Sequence, residues 1–171
     1  MITASLARRT LGAIVVTAVA TAVVARVDTA AAASQPHVMD NLATAKWGPA
    51  PPMLPPGAQI AVLAGDPTSQ GTYAVRLKFP ANYTVPPHSH PTDEHVVVVS
   101  GELRMGMGET IDKARAMSLG VGGFALMPAH ANHYAFTNAE TTIVLYGQGP
   151  VEFTYVKASD DPRTKTSTNN R

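Results

Sequence analysis

Between Gly57 and Lys157 the chain is cut into short segments rich in valine, isoleucine, tyrosine and phenylalanine, and this punctuation constrains the fold more than any other feature. "AQIAVLAG", "TYAVRLKF", "TVPPHSH", "EHVVVVSG", "ELRMGMG", "GGFALMP", "HYAFTN", "TTIVLYG" and "VEFTYVK" are separated by Gly, Pro, Asn or Asp turns at close spacing, as in an all-β domain. "TYAVRLKF" alternates cleanly, with Tyr73, Val75, Leu77 and Phe79 in one phase and Arg76 and Lys78 in the other, so it has one buried face. Only "TIDKARAM", Thr110 to Met117, has a helical look, and no internal repeat is present. A closed β-barrel or jelly roll of about eight or more strands suits such a pattern.

At 171 residues, 45% hydrophobic and 15% charged, the chain can bury one domain-sized core. The formal charge is +1 with no basic stripe, which argues against nucleic acid. Phosphate loops and G-x-S-x-G elbows are missing from the sequence. There is no cysteine, so disulfides, thiolate metal sites and cysteine nucleophiles drop out together. Any metal must be held by imidazole and carboxylate, a set that accepts Fe, Mn, Ni, Cu or Zn.

Those residue types gather in "PPHSHPTDEHVVVVSG". His88 and His90 stand two apart on a strand and therefore point the same way. Glu94 follows the turn "PTD" and can fold back toward them, while His133 heads a later strand in "PAHANHYAF". Three histidines and a carboxylate can enclose one ion and leave positions for water or substrate. If these groups face inward, Val96 and Val98 share the phase of Glu94, and Ala135 that of His133. Met105 and Met107, or their neighbours, then complete a largely apolar wall. Tyr83, Arg104, Tyr146 and Gln148 are the polar candidates for a substrate contact. His95 should point to the opposite face from Glu94, and His130 lies in the loop before His133.

His88 to Gly101 reads H-x-H-x3-E-x6-G, and Gly122 to His133 reads G-x5-P-x4-H. These two runs resemble the paired motifs of small single-domain metal-binding cupins, over roughly Ala58 to Val156. The resemblance implies a cupin-type double-stranded β-helix, a jelly-roll barrel, with one divalent metal bound by His88, His90, Glu94 and His133. Asn82 stands where the first motif often begins with Gly, His130 where the second has Gly, and Thr137 where it has Asn. The glycine usual at the position of His130 commonly takes positive φ, a conformation uncommon for any residue with a side chain.

The N-terminal stretch has Arg8 and Arg9, an apolar run from Leu11 to Val24 and a small-residue stretch from Thr29 to Ala33. This is the make-up of an export signal, cleaved most simply after Ala33. The apolar run is shorter than the roughly 20 residues that span a bilayer, so no stable membrane span is expected after cleavage. The paired arginines loosely resemble a twin-arginine signal, and the expected location is periplasmic or secreted. Cleavage removes Arg8, Arg9, Arg26 and Asp28, so the basic balance belongs to the signal. The expected organisation is signal 1–33, Pro-rich arm 34–57 with Trp47, Met53 and Leu54 as anchors, barrel 58–158, and polar tail 159–171.

Three ligand nitrogens and one carboxylate leave two positions on an octahedral Fe(II), enough for O2 and one substrate donor atom. The leading expectation is an oxidoreductase of dioxygenase type acting on a small organic substrate. In cupins resembling this arrangement such chemistry is common on aromatic or thiol compounds, and the resemblance implies that a carboxylate in the place of Glu94 can loosen to act as a base. The alternatives are an isomerase, lyase or decarboxylase using Mn, Ni or Zn as a Lewis acid, and a non-catalytic module that binds a metal or small molecule. The resemblance also implies a homodimer, paired through an edge strand or the arm.

Overall fold

The structure, a computed structural model, describes residues 38–165. The expected export signal, the first residues of the arm and the last six of the tail lie outside the described residues. Eleven strands run in chain order: β1 Gly48–Pro49, β2 Gln59–Ala64, β3 Gly71–Phe79, β4 Thr84–Ser89, β5 Glu94–Ser100, β6 Leu103–Met107, β7 Met117–Leu119, β8 Phe124–Met127, β9 His133–Phe136, β10 Thr141–Gly149 and β11 Thr154–Tyr155. They form two antiparallel sheets, β1-β2-β3-β10-β5-β8 and β11-β4-β9-β6-β7. The barrel-or-jelly-roll pattern thus resolves into a jelly roll, whose chain passes back and forth between facing sheets. Among the described residues no helix is long and apolar enough to cross a membrane.

Side-chain alternation decides what lies between the sheets. Tyr73, Val75, Leu77 and Phe79 of β3 are buried, as are Val96 and Val98 of β5 and Ile143 and Leu145 of β10. β10 lies between β3 and β5, with Leu145 opposite both Val75 and Val96. A single inner layer of these residues therefore carries most of the hydrophobic stabilisation. On the outer face, Arg76 pairs with Asp40 at 3.0 Å, and the Lys78 ammonium lies 4.5 Å over the Trp47 ring. The Pro-rich segment enters the edge of the first sheet as β1, where proline's missing N–H costs no ladder bond. It then buries Leu54. Its carbonyls accept buried phenols: Tyr83 donates to Pro55, and Tyr155 to Met53 at 2.7 Å.

One segment differs from the sequence reading. Residues 110–117 form a turn rather than a helix, leading into β7. The Asp112 carboxylate accepts from the N–H groups of Ala114 and Arg115, an Asx arrangement that competes with helix propagation. The turn lies over the outer face of β9. The Tyr134 hydroxyl donates to the Asp112 carbonyl at 2.8 Å, and Lys113 sits 5.4 Å from the Phe136 ring. This explains why all four residues of β9 are buried although alternate ones face away from the interior. The tail also has structure: a 3-10 turn, Ala158–Asp160, and a helical turn, Pro162–Lys165. Arg163 there donates to the Phe153 carbonyl at 3.0 Å.

Candidate metal centre

Pro86 and Pro87 set the first two histidines in place. Without N–H groups they cannot continue the ladder, and the β4–β9 register slips between Val85 and His88. The resulting bulge brings His88 opposite His133. His90 follows immediately after β4, while Glu94 opens β5 and His133 opens β9. The loops that carry them are stitched together. The His130 N–H donates to the His90 carbonyl at 2.7 Å, and the Ala129 N–H to the Asp93 carboxylate at 2.8 Å. Segments some forty residues apart in sequence thus meet at one end of the jelly roll.

His88, His90 and His133 are all buried, and each offers one ring nitrogen within 4.8 Å of the others'. Glu94 joins through two of them, with Oε1 3.3 Å from His90 Nε2 and Oε2 3.3 Å from His133 Nε2. It is not part of the mutually close trio. Every Nδ1 is occupied by a backbone carbonyl: Pro86 for His88 at 2.7 Å, Glu152 for His90 at 2.7 Å and Ala131 for His133 at 3.0 Å. A carbonyl only accepts, so the proton of each neutral ring sits on Nδ1 and Nε2 keeps its lone pair. Such outer hydrogen bonds orient metal-binding imidazoles.

The Nε2 atoms of His90 and His133 are buried with no hydrogen-bond partner. Leaving such groups unsatisfied is costly. A cation between the rings would satisfy them, so the residues fit a metal ion. The electrostatics agree. Burial, reinforced by His133 and His90, pushes His88 down to about 3, so it is a neutral donor. Burial alone would raise Glu94, but contacts with His133 and His90 outweigh it and hold the carboxyl well below its usual range. Burial opposes a charge on His90, yet the contacts with Glu94 raise it. Glu94 is therefore a carboxylate whose field favours positive charge at the centre.

His88, Glu94 and His133 border a cavity of about 30 Å³ whose remaining wall is apolar. Val96, Met105 and Ala135 line it. Val98 is buried farther along β5, outside the lining. Met107 is opposite His133 in register but 54% exposed at the rim. The polar candidates lie elsewhere. Tyr83 stacks on Phe79 with centroids 5.0 Å apart and is tied to the Pro-rich segment. Arg104 is in the outward phase of β6 and reaches Glu102 at 2.9 Å. Tyr146 stacks on His95, centroids 4.7 Å apart, on the outer face of the first sheet. Gln148 donates to Thr72 at 2.9 Å. For Arg104, Tyr146 and Gln148 strand phase is the reason: a one-residue step places a side chain on the other face.

Phe153 escaped the sequence reading. Its ring stacks on His88, with centroids 4.6 Å apart and planes 12° apart, and meets His90 edge-on at 4.5 Å. Its alternation with Tyr155 in "VEFTYVK" was the available signal, but nothing local says which wall that phase faces.

Fold and site together define a jelly-roll protein with a three-histidine centre able to bind a metal ion. The model of the ChrR cupin-like domain matches residues 34–152, and the chain belongs to that family of cupins. No curated protein sequence matches it. Among solved structures it resembles the polyketide cyclase RemF from Streptomyces resistomycificus, at 17% identity and a TM-score of 0.56, over 77% of this chain and 94% of that one. A provisionally assigned acetylacetone dioxygenase from Methylibium petroleiphilum is similar at 18% identity and a TM-score of 0.56, over 74% and 85%. An RmlC-like cupin from Shewanella frigidimarina gives 15% and 0.52, over 67% and 92%. These likenesses show the shared fold.

Proposed function

We propose that this protein is an exported mononuclear-metal cupin that oxidises a small organic molecule in dioxygenase fashion, with Fe(II) held by His88, His90, His133 and Glu94. The observation that carries the reading is the set of three imidazoles with Nδ1 tied back and Nε2 free, facing a buried carboxylate. Iron held by these residues would supply the oxidative chemistry between O2 and the substrate. The chain's own part is to orient four donors, keep Glu94 ionised and exclude water with an apolar wall. Beyond the ligand set, no acid or base lines the cavity, which favours redox chemistry over an isomerase or lyase that needs its own proton shuttle. A cavity of about 30 Å³ is about a fifth of the ~150 Å³ of an engineered site that holds benzene, which favours a small substrate over an aromatic one. Export is proposed on the signal-like residues 1–33.

Metal analysis of protein prepared without chelator or nickel resin, beside His133→Ala, tests this reading. About one equivalent of iron, lost in the variant, is expected, with O2 uptake on a fitting substrate. Zinc, manganese or nickel at that level would replace it with Lewis-acid chemistry. Metal without turnover would point to a binding module, and no metal would remove the centre.

A further inference from the structure

The metal cavity has a neighbour. A second cavity of about 70 Å³ lies beside it, lined by Pro51, Met53, Ile60, Tyr73, Val75 and Val151 among others, with no charged side chain among the described residues of its wall. The Pro-rich segment supplies one side, and the stretch between β10 and β11 another. Leu54, Leu77, Leu145 and Phe153 line both cavities, so these four side chains are the partition. Three of them are buried core residues, whereas Phe153 is only partly buried. The backbone around Phe153 is tied: the Glu152 carbonyl accepts from His90 at 2.7 Å, and the Phe153 carbonyl from Arg163 at 3.0 Å. The movable part of the partition is therefore the Phe153 ring, which rests on the metal-binding imidazoles.

We propose that the second cavity receives the apolar tail of the substrate, and that rotation of the Phe153 ring joins it to the metal cavity. This deepens the metal-centre reading and rests on it. Volume and polarity set the substrate class. The metal cavity, about 30 Å³, is the smaller of the two and takes the metal-binding end. The second cavity offers about half the 150 Å³ of an engineered site that holds benzene, so it suits an unbranched tail of a few carbons rather than a ring. The wall offers no partner for a charge. The substrate is thus a short, straight-chain molecule with one metal-binding end and an uncharged alkyl end.

The test uses the protein loaded with Co(II) and the straight-chain carboxylates from acetate to pentanoate, with affinity read from the cobalt d–d absorption. Affinity should rise about fourfold per methylene, the increment for burying CH2. Val151→Phe fills the second cavity without touching the metal cavity. It should flatten the series while leaving acetate affinity unchanged. Ile60→Phe fills the same space from β2 and gives the same readout should the first variant not fold. Cobalt binding with a flat series in the unaltered protein would overturn the tail site and leave the metal centre standing. A chain-length dependence that survives both filled variants would place the tail elsewhere and also overturn it. Failure to bind cobalt would bring down the metal centre and this proposal together.

Discussion

Single side chains at the centre do separate jobs, and each can be tested. Glu94 raises His90, so in metal-free protein Glu94→Gln should lower the His90 titration midpoint, read by NMR of the imidazole, and weaken metal binding in the same variant. His88 carries the pH dependence of the empty site. The unfolded chain protonates this ring near 6.5, the folded protein only at about 3, so within that window the unfolded state binds more protons. The contribution of His88 to stability is therefore intact above pH 6.5 and lost as pH falls toward 3. His90, raised, acts with the opposite sign. In metal-free protein His88→Gln should flatten the acid side of a urea-midpoint profile, by up to about 1.4 kcal/mol per pH unit. Two further residues show how the motif tolerates departures. Asn82 and His130 stand where glycines are usual, and both keep positive φ, 59° and 63°. Asparagine and histidine are enriched in that region among non-glycine residues, so the turn survives with some strain. His130→Gly should keep the metal and leave thermal stability equal or higher by up to about 1 kcal/mol.

Between elements, a few buried polar contacts hold strands in register. Thr137, where asparagine was the motif norm, is 2% exposed just beyond β9. Its hydroxyl donates to the Pro80 carbonyl at 2.8 Å and accepts from the Tyr83 N–H at 3.2 Å. The β3–β4 turn is thereby pinned to the strand that carries His133. Thr137→Val keeps the shape and strands both partners, so denaturant unfolding should show a loss of about 2–3 kcal/mol. Gly106 plays a steric part on β6. A Cβ there would run into the Tyr134 phenol, its cross-strand neighbour, and that phenol holds the turn at Asp112. Gly106→Ala should cost roughly 1–3 kcal/mol and speed proteolysis around residues 110–116. Gly101, which closes the first motif, combines φ of 77° with backbone of Glu140 and Thr141 in the space a Cβ would need. No side chain is accommodated there.

Across the whole molecule, a metal bound as proposed should act as a clamp, because its candidate ligands come from β4, β5, β9 and the turn after β4. An ion that binds only the folded chain adds about 2.7 kcal/mol at one hundred times its dissociation constant. Chelation should therefore lower the melting temperature, and His133→Ala should melt like the chelated protein with no response to added metal. Nine of the eleven strands, the inward phase of β3 and β5 and the shared face of His88 and His90 were legible in the amino-acid order, because period-two alternation and i, i+2 spacing are local properties of the chain. The cupin resemblance supplied the partnership of two distant motifs, which spacing alone does not show. Residues 110–117 misled, since helical composition was overridden by the Asp112 side chain and by the need to cover Tyr134 and Phe136. Arg104, Tyr146 and Gln148 misled because polarity marks a candidate contact but not the face it occupies. The amino-acid sequence by itself determined which residues can bind a metal and which strands bury a face. Only the tertiary structure decided that carbonyls of Pro86, Glu152 and Ala131 free each Nε2, and that Phe153 divides one interior into two cavities. Those contacts join residues up to sixty-two apart in sequence, and no local pattern encodes which surfaces meet when two sheets close on one another.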